Sequence, residues 1–316
     1  MIKYTIKRLL QSVVTVLIVV TVVFLLMRML PTDYFFTEDQ LMKLTEEQKN
    51  EQLDAAGYLD PVPEQLFRYY GQIFKGDFGD SRRIQSGVPV VEVISSKFTT
   101  SMKNGCISLV ISLFVGVLIG IIQTLNKDRF LDHVGTGYTI FVNAVPSLVS
   151  YSLVLVFGSK VLGLPSMYSS RNVNMSIILP IICLSLASIA SYALWTRRYM
   201  VDELNKDYIK LARIKGMSSR TIMVKHVLKN AFVPLAQYVP ASFLYTISGS
   251  LLVERFFSVP GMGPLLTDSI SRYDLNLVQT LVILYATLGV VGVFLGDVLM
   301  MIFDPRITLV SKGGTR

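Results

Sequence analysis

Residues 197–230 read RRYMVDELNKDYIKLARIKGMSSRTIMVKHVLKN, and the rest of the chain is arranged around them. Nine lysines and arginines make the stretch too basic to enter a bilayer. Its apolar residues are nevertheless regular: Tyr208, Leu211 and Ala212, then Met217, Ile222 and Val227, draw two short amphipathic helices. Gly216-Met217-Ser218 lies between them, and Gly ends helices as Ser begins them. The stretch reads as a helix-turn-helix. A hairpin resting on anionic lipid has the same composition, and the residues alone leave both readings open.

Outward from this stretch the chain turns strongly apolar. Hydrophobic residues make up 52% of the 316 and charged residues only 16%, with a mean hydropathy of +0.52, far from the quarter-charged composition of soluble domains. Runs at about 176–196 and about 231–253 flank it, and others lie at Leu9–Leu30, about 105–125, about 135–162 and about 277–303. Each meets the length of about 20 residues that a spanning helix needs. Leu9–Leu30 is too long for the core of a secretory signal and has no small-residue cleavage site after it, so it reads as a retained first span. Pro234 and Pro240 interrupt the 231–253 run, which therefore needs protein neighbours for its freed backbone groups. Six spans predict an all-α integral membrane protein.

The formal net charge of +8 is topological rather than a sign of nucleic acid. Lys3, Lys7, Arg8, Lys127, Arg129, the nine of 197–230, and Arg306, Lys312 and Arg316 all fall on one side, whereas the other short loops hold only Lys160, Arg171, Arg255 and Arg272. Both termini and the helix-turn-helix are expected in the cytoplasm. The division that follows is 1–30 (terminus and first span), 31–103 (an external loop subdomain) and 104–316 (the spanning core). In the loop, Glu38–Asp54 is helix-forming, and Leu66, Phe67, Tyr69, Tyr70, Ile73 and Phe74 suggest a folded element. Cys106 and Cys183 lie in apolar runs and make no disulfide framework or metal site.

A resemblance sharpens this reading. Asp207-Tyr208-Ile209-Lys210-Leu211-Ala212-Arg213-Ile214-Lys215-Gly216, with His226, Asn230-Ala231 and Pro234 after it, resembles the coupling loop of ABC-importer permeases in the form D-Y-x-x-x-A-x-x-K-G, H-x-x-x-N-A-x-x-P used by the dipeptide/oligopeptide branch. Glu254-Arg255-Phe256-Phe257-Ser258-Val259-Pro260-Gly261-Met262-Gly263 is similar to the branch's external turn. Asp304-Pro305-Arg306 resembles its C-terminal end, and Leu59-Asp60-Pro61 with Gly76-Asp77-Phe78-Gly79-Asp80-Ser81 its first-loop elements. The chain departs from the general importer pattern at Lys210-Leu211, and from the branch at Thr99-Thr100-Ser101-Met102 and Ala144.

The resemblance implies the type I importer fold and the subunit with the long first external loop. It implies a second homologous permease, two ATPase subunits carrying ATP and Mg, a substrate-binding protein outside, and peptide cargo. Relatives carry nickel chelates, glutathione or other small solutes, and sequence does not separate these. The chain itself has no G-x-x-x-x-G-K-[ST] loop, no catalytic residue and no cofactor or metal site. An ion-coupled secondary transporter would call for inverted repeats or midplane charges, which the sequence does not display. By resemblance Asp207, Tyr208, Ala212, Lys215 and Gly216 couple to an ATPase, while Glu254, Arg255, Pro260, Gly261 and Gly263 form an external gate or receptor contact. Asn143, Ser147, Gln237, Ser242 and Thr246 are candidates for a polar path, although hydroxyls inside spans also join helices. Asp297, in the last span, is expected to pair with a base of the coupling loop.

Overall fold

The computed structural model describes residues 2–247 and 251–303, which leaves Asp304-Pro305-Arg306 and Ser248 outside the described residues. In chain order the helices are α1 (Ile2–Arg28), α2 (Glu38–Lys43), α3 (Glu46–Ala55), α4 (Val62–Lys75), α5 (Val90–Leu125), α6 (Phe130–Ala144), α7 (Ser147–Lys160), α8 (Val173–Ser176), α9 (Ile178–Leu204), α10 (Asp207–Ile214), α11 (Ser219–Thr221), α12 (Lys229–Ile247), α13 (Leu251–Phe256), α14 (Met262–Ser271) and α15 (Leu275–Phe303). A two-residue antiparallel pair, β1 (Asp80–Ser81) with β2 (Val88–Pro89), is the described sheet. Among the described residues four helices, α1, α5, the α8–α9 unit and α15, are long and apolar enough to cross a membrane, or five if the bent pair of α6 and α7 is one span.

Two elements differ from expectation. The predicted span at 135–162 is two helices meeting at 114°. Pro146 causes the break: its ring pushes Val145 out of the helical region, to φ −82° and ψ 131°. Second, α5 starts at Val90, inside the stretch read as external loop. Residues 90–104 are amphipathic rather than apolar, so hydropathy hides them. Their inward face carries Val90, Val93 and Ile94, packed with Met262, Leu265, Leu277 and Leu281.

Packing centres on α5 and α9, the most extensive helix pair. Gly116 and Gly120, one turn apart on α5, lie so close to α9 that an added Cβ would fall 2.6 Å from Tyr192 Cβ and 2.5 Å from Thr196 Cβ. Small residues at this spacing are how helices gain contact in lipid, where burial gives no hydrophobic drive. Ser108 and Ser185 add a hydroxyl contact of 3.1 Å across the same seam.

α1 and α15 pack side by side, joined at one end by Arg8 Nε to Asp297 at 3.2 Å. The predicted partner for Asp297, a base of the coupling loop, is thus replaced by the first helix. At the opposite end lies the loop subdomain. There α2 and α3 each begin with a capping box, Thr37 with Gln40 and Thr45 with Gln48. The amphipathic α4 ends at Gly76, left-handed at φ 75°.

One buried carboxylate fastens this subdomain to the bundle. Asp274 Oδ2 accepts the Ser81 hydroxyl at 2.6 Å and the backbone N–H groups of Arg82, Arg83 and Ile84 at 3.1, 2.9 and 3.0 Å. Three successive N–H groups around one oxygen form an anion nest, and Asp274 is completely buried. Replacing Asp274→Ala orphans these donors and is expected to lower stability by about 2–4 kcal/mol, read as a drop in unfolding midpoint. A midpoint equal to wild type would show that the nest holds nothing.

Candidate functional site

The stretch that opened the sequence reading folds as an elbow. α9 runs past the predicted end at 196 to Leu204, and Asp207, in the first turn of α10, places a negative charge where the helix dipole favours one. Ile209 and Ala212 face inward and pack with Met200, Ile222, Val227 and Ala231. Burying Ile209 alone is worth about 2 kcal/mol. α10 ends in a Schellman motif: Met217 N donates to Ala212 O at 3.2 Å and Gly216 N to Arg213 O at 3.0 Å. This motif demands a left-handed residue, and Gly216 supplies φ 77°. An added Cβ there meets nothing within 4 Å, so the constraint is backbone conformation, not room.

Ser218 then caps the next segment by accepting Thr221 N at 3.3 Å. The second arm is not a separate short helix. α11 passes into a π-helical stretch, Ile222–Leu228, which runs directly into α12.

The predicted coupling residues divide by orientation. Asp207, exposed, receives Lys210 Nζ at 2.9 Å, and that ammonium holds its carboxyl below the usual carboxylate range. Tyr208 is drawn back onto the elbow: its hydroxyl contacts Glu203 and accepts Asn230 Nδ2 at 2.7 Å, and burial, with Glu203 beside it, pushes the phenol up to about 12. Ala212 is buried, whereas Lys215 and Gly216 are exposed. The sequence reading missed the outer face. Leu211 is 51% and Ile214 83% exposed, and they lie on one side of α10 with Asp207 at helical spacing.

Arg197, counted above as a topological charge, is a bolt. Its Nε and Nη2 reach the two carboxylate oxygens of buried Asp132 at 2.6 and 2.7 Å, tying the start of α6 to α9.

At the loop end the predicted gate residues form an internal knot. Ser101 Oγ, on α5, donates to Glu254 Oε1 at 2.5 Å and accepts Met262 N at 2.8 Å, while Gly263 N donates to Glu254 Oε2 at 2.8 Å. Glu254 thus caps α14 from inside the protein. A Cβ on Gly261 would lie 2.4 Å from that carboxyl, so this turn requires glycine for space. Pro260, half-buried, completes the turn. Arg255 points elsewhere and pairs with Asp268 at 2.5 Å.

The five predicted path residues are not brought together. Asn143 and Ser147 are exposed on either side of the α6–α7 break, and Asn143 donates to Thr139 O at 2.8 Å in its own helix. Gln237 points to Asp297 at 3.3 Å. The Thr246 side chain lies outside the described residues. Ser242 alone lines a cavity of about 480 Å³ between α7, α9 and α12, along with Ser188, Ser191, Tyr151, Tyr192, Trp195 and Tyr238. Trp195 stacks with Tyr199 at 5.5 Å and Tyr238 at 6.0 Å, and Arg198 lies over Trp195 at 5.1 Å.

Comparison with known proteins decides the family. Residues 116–309, more than half of the chain, match the family described as binding-protein-dependent transport system inner membrane component. The chain belongs to that family. This inner membrane component is therefore a multi-pass membrane protein. It is 32% identical over 309 residues to the dipeptide transport system permease protein of Lactococcus lactis, covering 98% of this chain and 100% of the relative. The oligopeptide transport system permease protein of Salmonella typhimurium is also 32% identical over 309 residues, covering 97% and 99%. The dipeptide permease of Bacillus subtilis is 30% identical over 315, covering 99% and 100%. Among solved structures the fold is that of a chain of the inward-facing MetNI methionine ABC transporter, with a TM-score of 0.56, 13% identity, and coverage of 67% of this chain and 97% of that one.

Two outcomes test the geometry. Gly216→Val forces a β-branched residue into the left-handed region and is expected to cost about 1–2 kcal/mol, while Gly216→Asn costs clearly less; equal unfolding midpoints would refute the Schellman cap. Glu254→Gln replaces one of the two acceptor oxygens of the knot with an amide N–H₂ donor and is expected to cost about 1–3 kcal/mol. Asp268→Asn, in an exposed pair, should stay within about 1 kcal/mol. Chemical denaturation of both variants in detergent ranks them.

Proposed function

We propose that this chain is one of two permease halves of an ATP-driven peptide importer. The observation that carries the proposal is similarity along the whole chain to proteins named as dipeptide and oligopeptide permeases. Six spans are assigned to α1, α5, α6 with α7, α9, α12 with α13, and α15, with both termini and the elbow in the cytoplasm. The domains then follow the division above: 1–30, an external subdomain at 31–103, and the core at 104–316.

The elbow is the site of force. Leu211 and Ile214 stand exposed on an otherwise basic segment, an apolar patch suited to a groove on a partner. That partner is an ATPase, one per permease, holding ATP and Mg that this chain does not bind. ATP-driven closure draws two elbows together and rocks the bundles between inward-open and outward-open forms. A substrate-binding protein delivers cargo at the loop end, where the exposed Arg255–Asp268 pair lies. The cavity between α7, α9 and α12 is the half-path of this subunit. Its hydroxyls suit a peptide backbone and its aromatics the apolar side chains.

Purified without partners, the chain is expected to hydrolyse no ATP. In the assembled complex Ile214→Glu should abolish co-purification of the ATPase subunits and Trp195→Ala should lower dipeptide uptake at least several-fold while assembly persists. A cysteine at 214 should cross-link to an ATPase subunit and resist impermeant thiol reagents added to intact cells. Labelling from outside would overturn the orientation. Uptake of another solute with no dipeptide uptake would overturn the cargo and leave the architecture standing.

A further inference from the structure

Between the loop subdomain, the end of α1 and the start of α15 lies a cavity of about 300 Å³, room for roughly ten waters. Its polar wall is unbalanced. Arg28 Nε and Gln279 Nε2 are buried donors without a protein acceptor among the described residues. The Arg28 guanidinium lies over the rings of Phe24, Phe35 and Tyr58 at 4.9, 5.1 and 4.4 Å. Arg82 shares the Tyr58 ring from 5.9 Å and donates to Phe35 O and the Tyr58 hydroxyl. Two like charges are thereby held against one ring by aromatic packing.

No ion pair is formed by Arg28 or Arg82 among the described residues. Arg68, a third cation on the wall, is already matched by Asp60. The wall's own carboxylates, Asp77 and Asp80, are exposed, and Asp77 Oδ1 is used by Gly79 N at 2.9 Å within its turn. Holding two guanidinium groups together and partly out of water is unfavourable unless a negative charge joins them. Guanidinium forks with an additional N–H donor match the oxygens of a planar or tetrahedral oxyanion.

We propose that this cavity binds a small oxyanion, a carboxylate or phosphate group, gripped by Arg28 and Arg82 with Gln279 as a further donor. The same chemistry has two sources, a dissolved anion or the headgroup of an anionic lipid. A lipid could reach Arg28 along α1, whose neighbouring Leu25 and Leu26 are exposed. The site is separate from the elbow and from the cavity at Trp195, and it stands whether or not the chain carries peptides.

The test uses the full-length chain, with the subunits that co-purify, in phosphatidylcholine nanodiscs. One arm titrates inorganic phosphate at constant ionic strength, and the other adds phosphatidylglycerol to the discs. The unfolding midpoint is expected to rise by a few degrees, saturably, in one arm: with phosphate for a dissolved anion, with phosphatidylglycerol for a headgroup. The rise should vanish in Arg28→Gln and in Arg82→Gln but persist in Arg171→Gln, an exposed arginine in another loop. Native mass spectrometry of the wild type should retain the same anion as an adduct, which covers the case of a variant that does not fold. No rise and no adduct in either arm, or a rise undiminished in both cavity variants, overturns the proposal.

Discussion

The close approach of α5 and α9 is the constraint on which the remaining packing rests. Lipid gives helices no hydrophobic reason to associate, so contact must come from shape and polar pairing. Gly116 and Gly120 supply the shape, and Ser108 with Ser185 the pairing. Once α9 is fixed, its other faces set the positions of the elements around it. Arg197 bolts α6 through Asp132, Trp195 and Tyr192 open toward α12, and the far end turns into the elbow.

The sequence made the elbow legible because its rules are local and aqueous. Gly216 followed by Ser218 states a helix end and a helix start within three residues, and the folded chain uses both. Hydropathy likewise located the long apolar helices. Three prolines show where such reading stops. Pro234 and Pro240 lie within α12, which continues through them, whereas Pro146 splits α6 from α7. The residue type is the same, and the type alone does not say whether a helix stops or continues.

The loop-end residues were legible as a group but not in role. Glu254, Gly261 and Gly263 do converge, yet on an internal knot whose missing member, Ser101, is 153 positions away and falls where the sequence departs from the branch pattern. Asp274 gave no signal at all, since three of its four partners are backbone N–H groups and the fourth, the Ser81 hydroxyl, is 193 positions away. Of the hydroxyls and amides expected on a polar path, Asn143 is spent on its own helix and Gln237 on Asp297. The aromatic residues that do share a cavity with Ser242 resemble ordinary core in a one-dimensional reading.

The π-helical stretch at Ile222–Leu228 leaves no slack between the elbow and α12. A flexible tether at that junction would dissipate a displacement of α10 as local bending. A continuous helix instead joins the elbow to the stretch that carries Tyr238 and Ser242. The elbow and the wall of the aromatic cavity thus belong to one unbroken helical run, and Pro234, between them, is the place where that run can bend.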